Sequence, residues 1–398
     1  LTAASYDLIV VGGGIHGAGI AQAAAAHGYS VLVLEKTALA AGTSSRSSKL
    51  IHGGLRYLES AQFALVRECL QERALLLRLA PELVKLVPFY VPIYRGARRG
   101  GTRIRLGLSL YSLLGGLHSD TRFARVPKHQ WHTLDGLQTE RLRTVYRYYD
   151  AQTDDVALTR AVMHSAQTLG TTLAMPACFS RARILPEGVE VVYTAEGTQH
   201  TVSAAVLVNA AGAWANEVLA RVTPVQPQLQ MQLVQGTHIM VPGSVQKGIY
   251  YIPAPSDGRP VFVMPWHNSI LVGTTEHVYC GDPDAVAPRP DERTYLLEAL
   301  SYYFPAFRSE ETARVIDAFA GLRVLPMDGG ALGKASRDTT LHADTPARPR
   351  LLTLYGGKLT AYRATAEKVI AQLTRSLPQR AAVARTDQLA LTPVSQPD

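Results

Sequence analysis

A chain of 398 residues with 47% hydrophobic content suits one large domain or two intimately packed ones and should fold as an ordinary soluble globule. No positively charged leader precedes the first apolar run at Tyr6, and no stretch approaches the roughly 20 apolar residues that span a bilayer, which argues against secretion and a transmembrane anchor. The net charge of +8 calls for an anionic partner, whether a phosphorylated substrate, an acidic membrane surface or a nucleic acid, although a solvated basic surface would read the same way.

The segment 6–11 is apolar and β-prone and runs into Gly12-Gly13-Gly14-Ile15-His16-Gly17, followed by an alanine-rich helix to about His27. A second strand, 29–34, ends in Glu35. Strand, glycine turn, helix, strand and acid form the βαβ unit that holds a dinucleotide. Gly12 serves the tight turn, Gly14 the approach of the pyrophosphate to the backbone, and Gly17 close helix–strand packing. Glu35 accepts hydrogen bonds from ribose hydroxyls, and His16 reads as a bystander at an exposed turn. The spacing of Phe63, Val66, Leu70 and Leu77 predicts a packing helix over 60–79 with Ser60 as N-cap. Five arginines within 95–105 precede an apolar stretch, 104–114, that is either a core helix behind a solvated loop or a surface helix lying on a membrane.

Asp154 and Asp155 cap a predicted helix over 156–169, and strands follow at 189–193 and 201–209, the latter ending in Asn209-Ala210-Ala211-Gly212. Small residues there let a cofactor approach the backbone. The region 228–278 reads as antiparallel strands at 232–241, 249–252, 261–265 and 270–274, a different architecture inserted into the dinucleotide fold. After a helix near 292–303, a strand at 351–355 meets Gly356-Gly357 and a helix over 359–373, which repeats the strand–glycine–helix arrangement. The predicted fold is thus α/β, with a discontinuous dinucleotide domain (1–85, 150–222, 318–375), an antiparallel substrate domain (86–149, 223–317) and a loosely ordered tail (376–398). Cys69, Cys178 and Cys280 lie too far apart for a C-x-x-C pair or a metal cluster. Each reads as a small buried hydrophobe in a reducing cytoplasm, and no metal site is expected.

Several stretches resemble the FAD-dependent glycerol-3-phosphate dehydrogenases and oxidases, within the wider class of amine and hydroxy-acid flavoenzymes. They are TSSRSSKLIHGGLRYLE at 43–59, GTHIMV at 236–241, VFVMPW at 261–266, GTTEHVYCGDP at 273–283, GLRVLP at 321–326 and GGKLTAYR at 356–363. His16 departs from the asparagine common in that family's flavin turn, and the chain ends soon after its last helix, where many members continue into a further helical domain.

The resemblance implies FAD as cofactor and oxidation of sn-glycerol 3-phosphate to dihydroxyacetone phosphate by hydride transfer to flavin N5, with electrons passing to a quinone or other acceptor. The polar stretch 43–54 would wrap the flavin through Thr43, Ser44, Ser45, Ser47, His52 and Gly53, with Lys36, Ala211, Gly212, Gly356, Lys358, Leu359 and Thr360 completing the cofactor set. Arg56, Arg323 and Lys358 would clamp the phosphate with Tyr57 donating a hydrogen bond, and His238 would be the general base, leaving Arg323 and Lys358 free to stabilise alkoxide charge instead. The same clamp fits the carboxylate of a 2-hydroxy acid or amino acid. A flavin-containing nucleic-acid-binding protein is the remaining alternative, and scattered arginines without a recognisable module speak against it. The expected location is cytoplasmic, with peripheral membrane contact through 95–114.

Overall fold

In the strands Ser5–Val11 and Val31–Leu34 the paired residues Leu8 to Val11 and Val31 to Leu34 are apolar without interruption because their parallel sheet is covered on both faces. Leu8, Val10, Val31 and Val33 turn toward one core, while Ile9, Val11, Leu32 and Leu34 turn toward another. The structure, a computed structural model, describes residues 4–309, 311–327 and 339–394. Of the sequence-assigned segments, 1–3 and 328–338 of the first domain, 310 of the second and 395–398 of the tail lie outside these.

Helix α1 (Ile15–Ala26) is buried at 11 of its 12 residues, which its small side chains permit. A Cβ on Gly17 would run into the carbonyl oxygen of Gly12, and one on Gly19 would sit 2.6 Å from the Tyr362 ring. Helix α2 (Phe63–Leu79) starts three residues later than expected. Ser60 instead closes the 3-10 turn Leu55–Ser60, its hydroxyl donating to the Tyr57 carbonyl at 3.1 Å. Helix α3 (Gly101–Leu114) contains the apolar stretch behind the arginines. Helix α4 (Asp155–Thr168) is capped by Asp154, which accepts from the Ala157 N–H at 2.9 Å, whereas Asp155 faces inward and is fully buried.

The first sheet has nine strands among the described residues. Thr198–Asn209 forks it. Its first half pairs antiparallel with Gly188–Ala195, while its second half runs parallel between Ser5–Val11 and Leu351–Tyr355. The carboxyl ends of the parallel strands therefore gather Gly12, Glu35, Ala210 and Gly356 on one edge, the ligand side of an open α/β sheet. Short helix α5 (Ala215–Leu219) follows that edge.

A second, mainly antiparallel sheet, ten-stranded among the described residues, stands beside it. The four strands expected between 228 and 278 are present as Met231–Pro242, Ile249–Pro253, Pro260–Trp266 and Ser269–Gly273. Two long strands not expected from sequence, Val84–Tyr94 and Leu142–Thr153, extend it. Asp317–Pro326, which begins the stretch assigned to the dinucleotide domain, pairs along Met231–Pro242 in this second sheet. Helix α6 (Pro290–Tyr303) covers one face of the sheet, and helices α2 and α3 cover the other.

Helix α7 (Tyr362–Leu373) packs on α1, and the chain beyond it, as far as 394, is tied down rather than loose. Val383 and Ala384 donate to the Ala26 carbonyl, Leu391 donates to that of Leu79, and Arg380 pairs with Asp7 at 3.1 Å. Leu377 and Leu391 are buried in the first core. The tail's polar composition concealed these few anchors.

Candidate active site

A cavity of about 880 Å³ opens between the two sheets and is lined from both. At its first-sheet end, Glu35 closes the βαβ turn. Its Oε2 accepts the Gly13 N–H at 2.6 Å, and Oε1 accepts the Thr37 N–H at 2.9 Å. Ser44 Oγ accepts the Ile15 N–H at 2.9 Å, so this hydroxyl sits at the α1 N-terminus where an anion would be stabilised. The buried Asn209 side chain takes the Ala211 N–H at 3.2 Å and donates to the Ala215 carbonyl at 2.8 Å, which fixes the small-residue turn that includes Gly212. Lys36 lies 4.4 Å over the Trp214 ring and 2.9 Å from Asp284.

His16 is not the exposed bystander expected from sequence. Both ring nitrogens are buried without a protein partner, and a Cβ on Gly357 (φ +117°) would run into the ring. Burial, reinforced by Lys358, pushes its pKa down to about 4, so the ring is neutral at physiological pH. The indole nitrogen of Trp214 also lacks a partner. Unpartnered buried donors around a glycine-walled cavity of this size fit a dinucleotide that supplies the missing contacts.

The stretch 43–54 is strapped in place from several directions. Thr43 donates to the Leu322 carbonyl at 2.7 Å, and His52 N–H donates to Thr360 Oγ1 at 3.1 Å. Ser47 lines the cavity but spends its hydroxyl on Asp155 at 2.6 Å, whose other oxygen holds buried Lys49 at 2.7 Å. Two candidates lie behind the wall rather than along it. Ser45 gives its carbonyl to Lys49 at 2.6 Å, and Gly53 N–H donates to the Tyr111 hydroxyl at 2.8 Å, which in turn donates to Asp150. Gly17 likewise serves packing. The other cofactor candidates, including Gly14, Gly356 and Leu359, line the cavity.

At the second-sheet end, His238 projects from Met231–Pro242 and is 2% exposed. Its ring stacks on Phe319 at 4.9 Å, Nε2 lies 2.9 Å from Ser48 Oγ, and Nδ1 has no protein partner. Desolvation, then Arg323, then Lys49 push its pKa down to about 3, far from the near-neutral value expected of a free imidazole. Arg323 comes from the neighbouring strand, and Gly236 makes room for it, since a Cβ there would lie 3.2 Å from Nη2. Lys358 Nζ lies 4.9 Å over the Tyr57 ring, and Arg56 is 3.5 Å from Glu276.

All five predicted substrate residues thus face one space. The lining carries Lys36, Arg46, Arg56, Arg221, Arg259, Arg323 and Lys358 against Glu35, Glu217, Glu276 and Asp284, so the cavity attracts anions. Sequence reading passed over Arg259 and Glu276, although Glu276 stands inside the quoted stretch 273–283 and Arg259 lies between the predicted strands 249–252 and 261–265. Cys178 is exposed at the lining, Cys280 is exposed outside it, and Cys69 is buried. Among the described residues no cluster of side chains could hold a metal.

Residues 7–363 match the family model described as FAD dependent oxidoreductase. The chain is 38% identical to glycerol-3-phosphate dehydrogenase of Pseudomonas aeruginosa, covering 92% of this chain and 71% of the relative. It is 36% identical to D-erythritol 1-phosphate dehydrogenase of Brucella abortus, covering 94% and 74%. Among solved structures it resembles the glycerol-3-phosphate dehydrogenase of Bacillus halodurans complexed with FAD, with a TM-score of 0.76, 26% identity, and coverage of 97% of this chain and 68% of that one.

Proposed function

Since the chain belongs to the FAD-dependent oxidoreductase family, we propose that it oxidises sn-glycerol 3-phosphate to dihydroxyacetone phosphate and passes the electrons to a quinone or another acceptor. The observation that carries this reading is the convergence of Arg56, Arg323, Lys358 and His238 on the cavity that the dinucleotide turn enters. In this reading segments 1–85, 150–222 and 318–375 hold the cofactor and 86–149 and 223–317 the substrate. Asp317–Pro326 serves both, carrying Arg323 toward the substrate and Leu322 toward the 43–48 loop.

When bound, FAD supplies an acceptor for the hydride lost from the alcohol carbon. The protein's task is to orient that carbon and remove the hydroxyl proton. Arg56, Arg323 and Lys358 clamp the phosphate, and Tyr57 donates a hydrogen bond beside them. His238 takes the proton. Its basicity is suppressed first by burial and then by Arg323, and an anionic substrate paired with Arg323 offsets that second effect. Substrate capture therefore strengthens the base that acts on it.

The test is anaerobic mixing of the FAD-loaded protein with a substrate panel while flavin absorbance is followed. Rapid bleaching by sn-glycerol 3-phosphate is expected. Bleaching only by a 2-hydroxy acid or an amino acid would overturn the substrate. The similarity to a D-erythritol 1-phosphate dehydrogenase favours a second reading, a longer polyol phosphate, which the same panel separates.

Peripheral membrane contact belongs to this proposal. No helix among the described residues is long and apolar enough to cross a membrane. Helix α3 exposes Leu106 and Leu113 beside Arg103 and Arg105, an apolar and basic face suited to anionic lipid. Arg98 and Arg99 are held closely, by the Asp257 carbonyl at 2.6 Å and by Glu59 at 2.7 Å, whereas Arg103 reaches Glu59 only at 3.8 Å. Neutralising Arg103 and Arg105 should therefore abolish low-salt binding to anionic vesicles. Vesicle binding indifferent to that change would remove the contact.

A further inference from the structure

The substrate end of the cavity contains an ion cluster of which only Arg56 belongs to the clamp just described. Arg259 leads into Pro260–Trp266, Glu276 precedes His277–Tyr279, and Arg56 lies in the 3-10 turn Leu55–Ser60. All three line the cavity. The Glu276 carboxylate is in close contact with Arg259 Nη2 and lies 3.5 Å from Arg56 Nη1. Arg259 Nη1 also donates to the Glu276 backbone carbonyl at 3.2 Å. The two arginine side chains are more than a third exposed to the cavity, at 38% and 36%, while Glu276 sits deeper at 18%. Two guanidiniums from distant parts of the chain therefore converge on one carboxylate in the wall of an anion-attracting cavity.

We propose that Arg56 and Arg259 form an anion receptor in which Glu276 is the resident counter-ion, and that the substrate phosphate takes over its contacts. This rests on the reading of a phosphorylated substrate. A carboxylate brings one charge and two oxygens to the pair, whereas a phosphate brings nearly two charges and three terminal oxygens and can engage both guanidinium forks at once. Arg56, at the longer distance, yields first. With Glu276 in place the two cations stay close without an external anion, and an intramolecular competitor limits how tightly any phosphate is held, which favours departure of a phosphorylated product.

The test is calorimetric titration of the FAD-loaded protein with inorganic phosphate, alongside steady-state kinetics with sn-glycerol 3-phosphate. Glu276→Gln, which keeps the side chain's shape, should bind inorganic phosphate about tenfold more tightly and lower KM. Arg259→Gln should weaken phosphate binding about tenfold and raise KM, and Arg259→Lys should recover most of the loss. The opposite signs are the decisive feature. If the pair only braces the 274–276 segment, both neutral variants weaken binding together and the proposal is overturned. It is equally overturned if phosphate affinity is unchanged in both, or if neither the unmodified protein nor Glu276→Gln binds phosphate. The flavin spectrum of each variant reports folding, and Arg259→Lys against unmodified protein decides the case if Arg259→Gln does not retain FAD. Failure of sn-glycerol 3-phosphate to reduce the unmodified protein would count against the functional reading, while the inorganic phosphate titration would still decide the receptor.

Discussion

His238 is buried deeply enough that its environment dictates both its protonation and its role. At neutral pH it is unprotonated and able to accept a proton, with Ser48 against Nε2 fixing the ring. His238→Asn should still bind substrate but reduce its flavin at least a hundredfold more slowly in single-turnover experiments. Undiminished reduction would remove His238 from the chemistry. The same burial has a stability signature. A histidine whose folded pKa is lowered leaves the unfolded state binding more protons below its ordinary pKa, so stability is complete above about pH 6.5 and is lost as pH falls toward the folded value near 3. At pH 5 the loss from this one group is about 2 kcal/mol. His238→Asn should flatten the denaturant-unfolding profile between pH 6.5 and 4 by about 3 kcal/mol, and identical profiles for the two proteins would show that the ring is not held neutral. His16, depressed to about 4, adds a smaller loss in the same direction.

At the scale of elements, the cavity-lining loop 43–49 is held by a buried ion pair. Asp155, in the first turn of α4, receives Ser47 and Lys49 together, and its carboxyl is raised by burial and lowered by Lys49. Lys49→Met leaves that carboxylate buried without its cation and should cost about 3–5 kcal/mol in denaturant unfolding, with loss of FAD retention. A change below about 1 kcal/mol would mean the pair is effectively solvated. Such pairings explain what the sequence did and did not disclose. The dinucleotide half was legible because strand, glycine turn, helix and acid succeed one another locally, and Leu351–Tyr355 was found residue for residue. Val84–Tyr94 was missed because Pro88 and Pro92 interrupt it, and Leu142–Thr153 because charges break its alternation; each is held along its length by pairing with the other. The Arg56–Glu276–Arg259 meeting and the burial of His16 against Gly357 join segments hundreds of residues apart or brought together by sheet pairing, which no local pattern encodes.

For the whole molecule, two sheets of different architecture share one cavity, and the segment after α7 ties the ends of α1 and α2 together through Ala26 and Leu79. If FAD occupies the cavity between the sheets it stabilises only the assembled state, and thermal stability should climb with free FAD concentration as mass action requires. The three cysteines turn that occupancy into a chemical footprint. Cys178 stands exposed at the cavity lining, Cys280 is exposed away from it, and the Cys69 thiol, pushed up to about 12 by burial, is silent. A thiol reagent should label Cys178 and Cys280 in the FAD-free protein, and saturating FAD should shield Cys178 while Cys280 keeps reacting. Equal labelling at both sites with and without FAD would mean that the bound nucleotide does not reach that wall. The molecule thus carries its own occupancy gauge, with a reporter, a reference and a blank.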